Sequence, residues 1–398
     1  MVLIILVILK INVYNLFKVI FMNILFITHE QMINGASNSM IDIIDKLSDR
    51  CNFTIVTPFN NGPFVDEMKK RNVEIYYAPF YRWVDFKNDE YKIKRKQFKK
   101  SYDKINQILV EKLYNLIKDK NIDIIHTNTS VVDFGYRLSK IMNIPHVWHI
   151  REFGEKDFNM YPLCSYREYY KKIADNNNLI CISKEVMKKF VDKVPSSSLN
   201  LIYNGVSKKN LNSNKKYNLD KNQKIICLQS GMISKTKGQD ITIKAIEKLV
   251  NEGYDIELLI AGNGDVKNLG INIENKQWLK ILGQVDNLPE IRKNVDIEIV
   301  SSKLEAFGRV PVEAMMGGIV VVGSNSGGTK ELIKNKETGL LFECGNYIDL
   351  SEKVKYLYNN RDELKRIGSN AFLYSKDYFL INRCANEIYN LYKKIGGK

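Results

Sequence analysis

From Asn23 onward, short apolar runs rich in Ile, Val and Phe alternate with longer stretches whose apolar residues recur at three- and four-residue spacing. Strands are expected at 23–28, 52–57, 73–77, 122–126, 145–150, 178–182 and 199–202. Runs such as Ile122-Asp123-Ile124-Ile125-His126 are nearly continuous and do not alternate, which suits parallel strands covered on both faces. Helical periodicity fills the gaps, notably at 36–49 and 92–120. Residues 207–223 are rich in Asn and Lys and poor in apolar side chains, so they read as a linker or surface loop. The alternation then restarts, with strands expected at 224–230, 255–260, 278–282, 296–300 and 319–323 and a helical tail over 347–395. This pattern predicts an α/β chain of two doubly wound domains, with a ligand cleft where their strand ends face each other.

The first 21 residues do not fit this scheme. Their uninterrupted apolar run, Val2 to Leu9, is far short of the ~20 residues of a spanning helix, and Lys10, Asn12, Asn15 and Lys18 follow it. There is no basic start or small-residue cleavage site of a signal peptide. Two readings fit: an amphipathic helix on a membrane surface, or an extension read from an early start codon. The second is favoured, because Met22 directly precedes the first expected strand.

Composition narrows the class. Hydrophobic residues at 44% and charged residues at 26% of 398 exclude disordered and low-complexity chains. Six cysteines without a C-x-x-C pair make neither a disulfide scaffold nor a zinc knuckle, and they suit a reducing, intracellular setting. The net charge of +15 is spread evenly over both halves, so no basic nucleic-acid module is expected. The exception is 87–104, where Lys87, Lys92, Lys94, Arg95, Lys96, Lys99, Lys100 and Lys104 outnumber Asp89, Glu90 and Asp103. That stretch is either a solvated helix face or a surface for anionic lipid or an anionic acceptor, with Tyr81, Trp83 and Tyr91 nearby.

The densest chemical signal is SSKLEAFGRVPVEAMMGGIVVVGSNSGGTKE at 301–331. A strand ends in a loop from Ser301 to Gly308. A helix then begins near Arg309, tolerates Pro311 in its first turn and stops at Gly317-Gly318. A glycine-bearing loop that feeds a helix start gathers free amides and the positive dipole end, which makes it an anion site. Phe307-Gly308 lets a diphosphate approach the backbone. Glu313, one turn in, is placed to accept from a vicinal diol such as a ribose, and Glu305 reaches the group beyond the phosphates.

This segment resembles the E-x7-E signature of retaining glycosyltransferases of family 4, with Glu305, Ala306-Phe307-Gly308 and Glu313-Ala314-Met315 matching. The resemblance extends over most of 23–390. Asn34-Gly35-Ala36 resembles the family's glycine loop, Pro145-His146-Val147-Trp148-His149 the strand that ends in the active-site histidine, and Asn204-Gly205-Val206 the passage between domains. Gly231 to Lys237-Gly238 is similar to the donor-phosphate loop, Ala261 to Gly264 to the next strand-end turn, and Leu282-Gly283-Gln284-Val285 to the loop beside the base. The implied fold is GT-B: an acceptor-side Rossmann-like domain over 22–205, a donor domain over 206–372, and a C-terminal helix within 373–398 that packs back toward the first.

By the same resemblance the implied catalytic residues are His149 and Glu305. The implied donor-binding residues are Gly35, Gly231, Lys237, Val285, Phe307, Gly308, Arg309, Val310 and Glu313. Arg151 and Asn204 are possible donor or acceptor contacts. The expected reaction is metal-independent, retaining transfer from a nucleotide-sugar, UDP by default, to a polyprenyl-diphosphate-linked acceptor of envelope polysaccharide synthesis. Its expected place is cytoplasmic, peripheral on the inner face of the membrane, with no cofactor and no nucleic-acid partner. No D-x-D pair is present to hold a metal on the diphosphate. One position departs from the family: Met232 stands where an arginine is usual, leaving Lys235, Arg309 or Arg151 as substitutes. A sugar-nucleotide epimerase, a phosphorylase or a non-catalytic nucleotide-sugar sensor on the same fold stays open. His126 carries no comparable warrant, and His146 reads as structural. Ser183 is as good a helix cap as a ligand contact. Gly262-Asn263-Gly264 fails the dinucleotide fingerprint, because Lys267 replaces its third glycine.

Overall fold

The apolar runs of the first half form one seven-stranded parallel sheet in a computed structural model, which describes residues 21–397 apart from 177, 213, 214, 218 and 221. The expectations for residues 1–20 lie outside the described residues. In chain order the strands are β1 Met22–Ile27, β2 Cys51–Thr57, β3 Glu74–Tyr77, β4 Val84–Phe86, β5 Ile124–Thr127, β6 His146–Ile150, β7 Met160–Pro162, β8 Leu179–Cys181 and β9 Leu199–Leu201. The sheet order is β3-β2-β1-β5-β6-β8-β9, while β4 and β7 pair with each other, antiparallel, outside it. A second, six-stranded parallel sheet contains β10 Ile225–Ser230, β11 Ile256–Ala261, β12 Leu279–Gly283, β13 Ile297–Val300, β14 Val320–Ser324 and β15 Leu340–Phe342, ordered β12-β11-β10-β13-β14-β15. Every residue of β5, β6, β8, β13 and β14 is buried, which is why their sequences do not alternate. Strand order reverses between β1 and β5 and again between β10 and β13, opening a crevice at the carboxyl ends of each pair.

Local signals set the helices. Asn34 Oδ1 accepts from the amides of Ala36 and Ser37, and Ser37 Oγ accepts from Asn34 N at 2.6 Å, so a full capping box starts helix Gly35–Leu47. The single helix expected over 92–120 is interrupted. It runs as Tyr91–Gln97, a five-residue π-turn Phe98–Tyr102, then Asp103–Ile117. The π-turn shifts the apolar stripe so that Phe98 and then Val110, Leu113 and Ile117 all reach the core. Within the expected linker or surface loop 207–223, Lys215 Nζ donates to the carbonyls of Lys293 and Val295 of the second domain.

Helix Arg361–Tyr378 runs through position 373, so the chain returns to the first domain later than that boundary, at Phe379-Leu380. Helix Ile381–Gly396 then buries Cys384, Ala385, Ile388, Leu391 and Tyr392 in one cluster with Met22, Ile24 and Ile124. The outgoing and returning passages pair: Val206 N donates to Phe379 O at 2.9 Å, and Ile381 N to Val206 O at 3.0 Å. A Cβ on Gly205 would lie 2.5 Å from the Cα of Ile381, so glycine is required there.

His146 is structural, held between Thr127 Oγ1 at 2.7 Å and Asn176 Oδ1 at 2.8 Å. Burial pushes its pKa down to about 3. Below about pH 6.5 the unfolded chain therefore takes up a proton that the folded chain refuses. Its stabilising contribution is complete above that pH and falls steadily toward the folded value. Between pH 6.5 and 5 the loss is about 2 kcal/mol. Urea unfolding at both pH values should show a drop in wild type that is smaller by about that amount in His146→Gln.

Candidate active site

Two loops at the carboxyl ends of β10 and β13 meet in the second crevice, one leading to helix Gln239–Asn251 and the other to helix Arg309–Met316. Gln229 at the end of β10 joins them, its Nε2 donating to Lys237 O and to Ser301 Oγ, both at 2.8 Å. Lys237 Nζ then donates to Glu305 Oε1 at 2.5 Å. Phe307 is buried beneath the loop, and Gly328 N holds its Glu305 carbonyl at 2.7 Å. Gly308, at φ +94°, caps helix Arg309–Met316 without a side chain over its first amides. Val310 in its first turn and Val285 after β12 are half-buried, and Gly231 turns away from β10 at φ +127° with open space where a Cβ would stand.

Glu313 is held from two sides, by Arg292 Nη1 at 3.0 Å and Arg309 Nε at 3.4 Å. Arg292 is buried and makes a two-pronged pair with Glu298 on β13, at 2.8 and 3.0 Å, while Ser230 Oγ donates to the same carboxylate at 2.6 Å. Burial opposes the Arg292 charge, but Glu298 and Glu313 outweigh it and hold the guanidinium above its usual range. Arg309 spans the cleft. Its Nη1 donates to Ser39 Oγ at 2.9 Å and its Nη2 to Asp42 Oδ2 at 3.1 Å, both on helix Gly35–Leu47, with Gly35 beside its Cδ.

On the first domain the carboxyl end of β6 carries a fully buried polar cluster. His149 Nδ1 lies 3.1 Å from His126 Nε2 and 3.3 Å from Arg151 Nη2. Arg151 also donates to Asn128 Oδ1 and Asn204 Oδ1, both at 2.8 Å. Burial, with the nearby Arg151 charge, keeps both His126 and His149 neutral, their pKa values well below the usual histidine value. Burial also lowers Arg151 to about 10.

The structure thus gathers Lys237, Glu305, Gly308, Arg309 and Glu313 in one crevice, sets Gly35 against Arg309, and groups His149, Arg151 and Asn204 across from them. Met232 is exposed in its loop, as is Lys235, whereas Arg309 and Arg151 already have partners. Ser183 both caps helix Lys184–Lys188, through Val186 N, and donates to Ala306 O at 2.5 Å across the cleft. Among the described residues, no three His, Cys, Asp or Glu side chains come together to hold a metal. Sequence reasoning missed Arg292, Glu298, Asn128 and Tyr392. A glutamate in the otherwise apolar run of β13 was the legible hint, since a buried carboxylate needs a cation.

Removing that cation leaves Glu298 buried and unpaired. Arg292→Met should cost about 3–5 kcal/mol in urea unfolding, and adding Glu298→Leu should recover much of it.

Comparison with known proteins agrees with this geometry. Residues 33–209 match the sequence family described as Glycosyltransferase Family 4, and residues 210–373 match Glycosyl transferases group 1. An uncharacterised glycosyltransferase of Methanocaldococcus jannaschii is 27% identical over 71% of this chain and 78% of its own length. The Staphylococcus aureus capsular polysaccharide biosynthesis glycosyltransferase CapM is 27% identical over 39% of this chain and 42% of its own. Among solved structures, Anabaena HepE in complex with UDP and glucose superimposes with a TM-score of 0.72 at 20% identity, covering 94% of this chain and all of HepE, so the two share the GT-B fold. With both halves matched in order along 33–373 and the two-sheet architecture in place, this chain belongs to the family 4 glycosyltransferases of GT-B fold.

Proposed function

We propose that the protein transfers a sugar from a UDP-sugar to a lipid-linked glycan acceptor in envelope polysaccharide synthesis, with retained anomeric configuration and without a metal ion. The reading rests chiefly on one observation: in the switch-point crevice of the second sheet Lys237 pairs with Glu305 in the loop that opens helix Arg309–Met316, and Glu313 lies one turn into that helix. The diphosphate lies over the amides after Gly308, with Lys237 and the exposed Lys235 supplying positive charge in place of the arginine absent at Met232. Glu313 accepts from the ribose hydroxyls. Glu305 exchanges its contact with Lys237 for hydroxyls of the donor sugar, and His149 meets the sugar near the reacting carbon. The anomeric carbon–phosphate oxygen bond breaks, the acceptor oxygen bonds on the same face, and the leaving phosphate takes the acceptor's proton. Amides and cations already aimed at that phosphate stabilise its developing charge. HepE's complexes with UDP and glucose and CapM's capsular role support the choice of donor and pathway.

For the acceptor, support comes from the basic stretch 87–104, where Ile93 is exposed among the lysines and Phe86 is exposed just before them. Trp83 does not belong to that surface. It is fully buried, stacked on Trp148 with ring centroids 5.4 Å apart, and its Nε1 donates to Ser130 O. Tyr81 stacks on Tyr102, and Tyr91 donates to Pro162 O at 2.5 Å. Among the described residues, no helix is long and apolar enough to cross a membrane. In this reading the stretch meets anionic lipid at the inner face of the cytoplasmic membrane.

Three measurements test these assignments. UDP at about 100 times its dissociation constant should stabilise the protein by about 2.7 kcal/mol, equally in EDTA and in magnesium. Glu313→Ala and Lys237→Ala should lose most of the shift, and the product of a UDP-sugar should keep the donor's anomeric configuration by NMR. A magnesium-dependent shift would sink metal independence, and binding without turnover across acceptors would favour a sensor. In flotation, the protein should rise with vesicles containing anionic lipid at low salt and detach as salt increases. No flotation at low salt would remove the membrane acceptor.

A further inference from the structure

The last helix of the chain reaches the site's histidine through a buried relay whose proton order can be deduced. Tyr392 Oη lies 2.6 Å from His126 Nδ1, His126 Nε2 lies 3.1 Å from His149 Nδ1, and Arg151 Nη2 lies 3.3 Å from that same Nδ1. Arg151 offers N–H groups and no acceptor. His149 Nδ1 must therefore present a lone pair to it, and a neutral ring with a bare Nδ1 carries its proton on Nε2. His126 Nε2, facing the same lone pair, is then the donor. Its own Nδ1 is left to accept the Tyr392 hydroxyl proton. The opposite order would set a His149 N–H against the Arg151 N–H. It would also leave the Tyr392 proton without an acceptor among the described residues, a buried loss that folded proteins avoid.

We propose that Tyr392, acting through His126, is a positioning residue that fixes His149 as a neutral donor at Nε2. The Nε2 atom is buried and has no partner among the described residues, which marks it as a donor waiting for a substrate oxygen. This rests on the reading in which His149 meets the donor sugar. It also narrows the class of group that contact accepts. A hydroxyl or an acyl carbonyl oxygen can receive this proton, and a protonated amine cannot. Sugars with a free ammonium at that position are therefore disfavoured against their hydroxyl or N-acyl counterparts. Helix Ile381–Gly396 carries Tyr392, so the segment that closes the first domain's core also sets the hydrogen-bonding sense of its active-site histidine.

The test is nitrogen-15 imidazole NMR on the full chain, which has four histidines, with His149 assigned from the signals missing in His149→Gln. Wild type should show His149 and His126 neutral and protonated at Nε2 at neutral pH. An Nδ1-protonated His149 would overturn the proposal whatever the Tyr392 and His126 variants do. Tyr392→Phe should disturb the His126 signature and lower kcat about five- to tenfold, the fold-change of one hydrogen bond's net worth, with the UDP dissociation constant unchanged. His126→Gln puts a permanent amide donor where Nε2–H stood, so it should keep most activity and make Tyr392→Phe nearly neutral in its background. Equal losses from Tyr392→Phe in both backgrounds would show a merely structural tyrosine and sink the relay. Unchanged transfer by His149→Ala would instead remove the sugar contact itself, a failure of the underlying reading that leaves the NMR assignment of the tautomer standing.

Discussion

Two backbone hydrogen bonds, Val206 N to Phe379 O and Ile381 N to Val206 O, lock the outgoing and returning chain side by side. Arg383 adds a third tie, its Nη2 donating to Tyr203 O at 2.9 Å. Because the chain returns, helix Ile381–Gly396 can fill the face of the first sheet that β1 and β5 would otherwise leave uncovered, and Tyr392 comes to lie under His126. Where the chain passes between the domains, Tyr203 sits against Phe307 and Phe379, and its hydroxyl donates to Glu331 Oε2 at 3.0 Å. Other contacts across the cleft are polar. Arg309 pairs with Asp42, Ser183 donates to Ala306 O, and Glu331 accepts from the amides of Lys184 and Glu185. Polar contacts of this kind exchange with water at little net cost.

What could be read in the sequence was what local rules govern. Buried parallel strands announce themselves as unbroken apolar runs, and both sheets appear where such runs were expected. The loop ending in Gly308, the helix begun at Arg309 and its stop at Gly317-Gly318 follow from glycine and proline placement alone. Short β4, β7 and β15 were not expected. The π-turn at Phe98–Tyr102 was also invisible, because it answers to what the helix packs against and not to its own composition. Partnerships across long sequence distance were illegible for the same reason. His126 meets Tyr392 from 266 positions away, and no local feature of either residue names the other. Trp83 shows the opposite failure: its basic and aromatic neighbours suggested a surface, while its own side chain is core.

The two glutamates of the crevice look alike in sequence and differ in mechanics. Glu305 is held by Lys237, a single flexible amine whose side chain is one-third exposed, at 33%. Such a contact can be traded, because the ammonium rotates freely and water can reach it. Glu313 is held by Arg292, whose side chain is 3% exposed and already committed in two prongs to Glu298. That guanidinium cannot turn toward another partner without breaking a buried pair, so the carboxylate of Glu313 stays where it is. A group that recognises a constant part of a ligand gains from being fixed, since no ordering cost falls due on binding. One that must release a cation and engage a new partner needs the looser tether. The burial of the cation behind each carboxylate, more than the carboxylates themselves, separates how firmly the two are held.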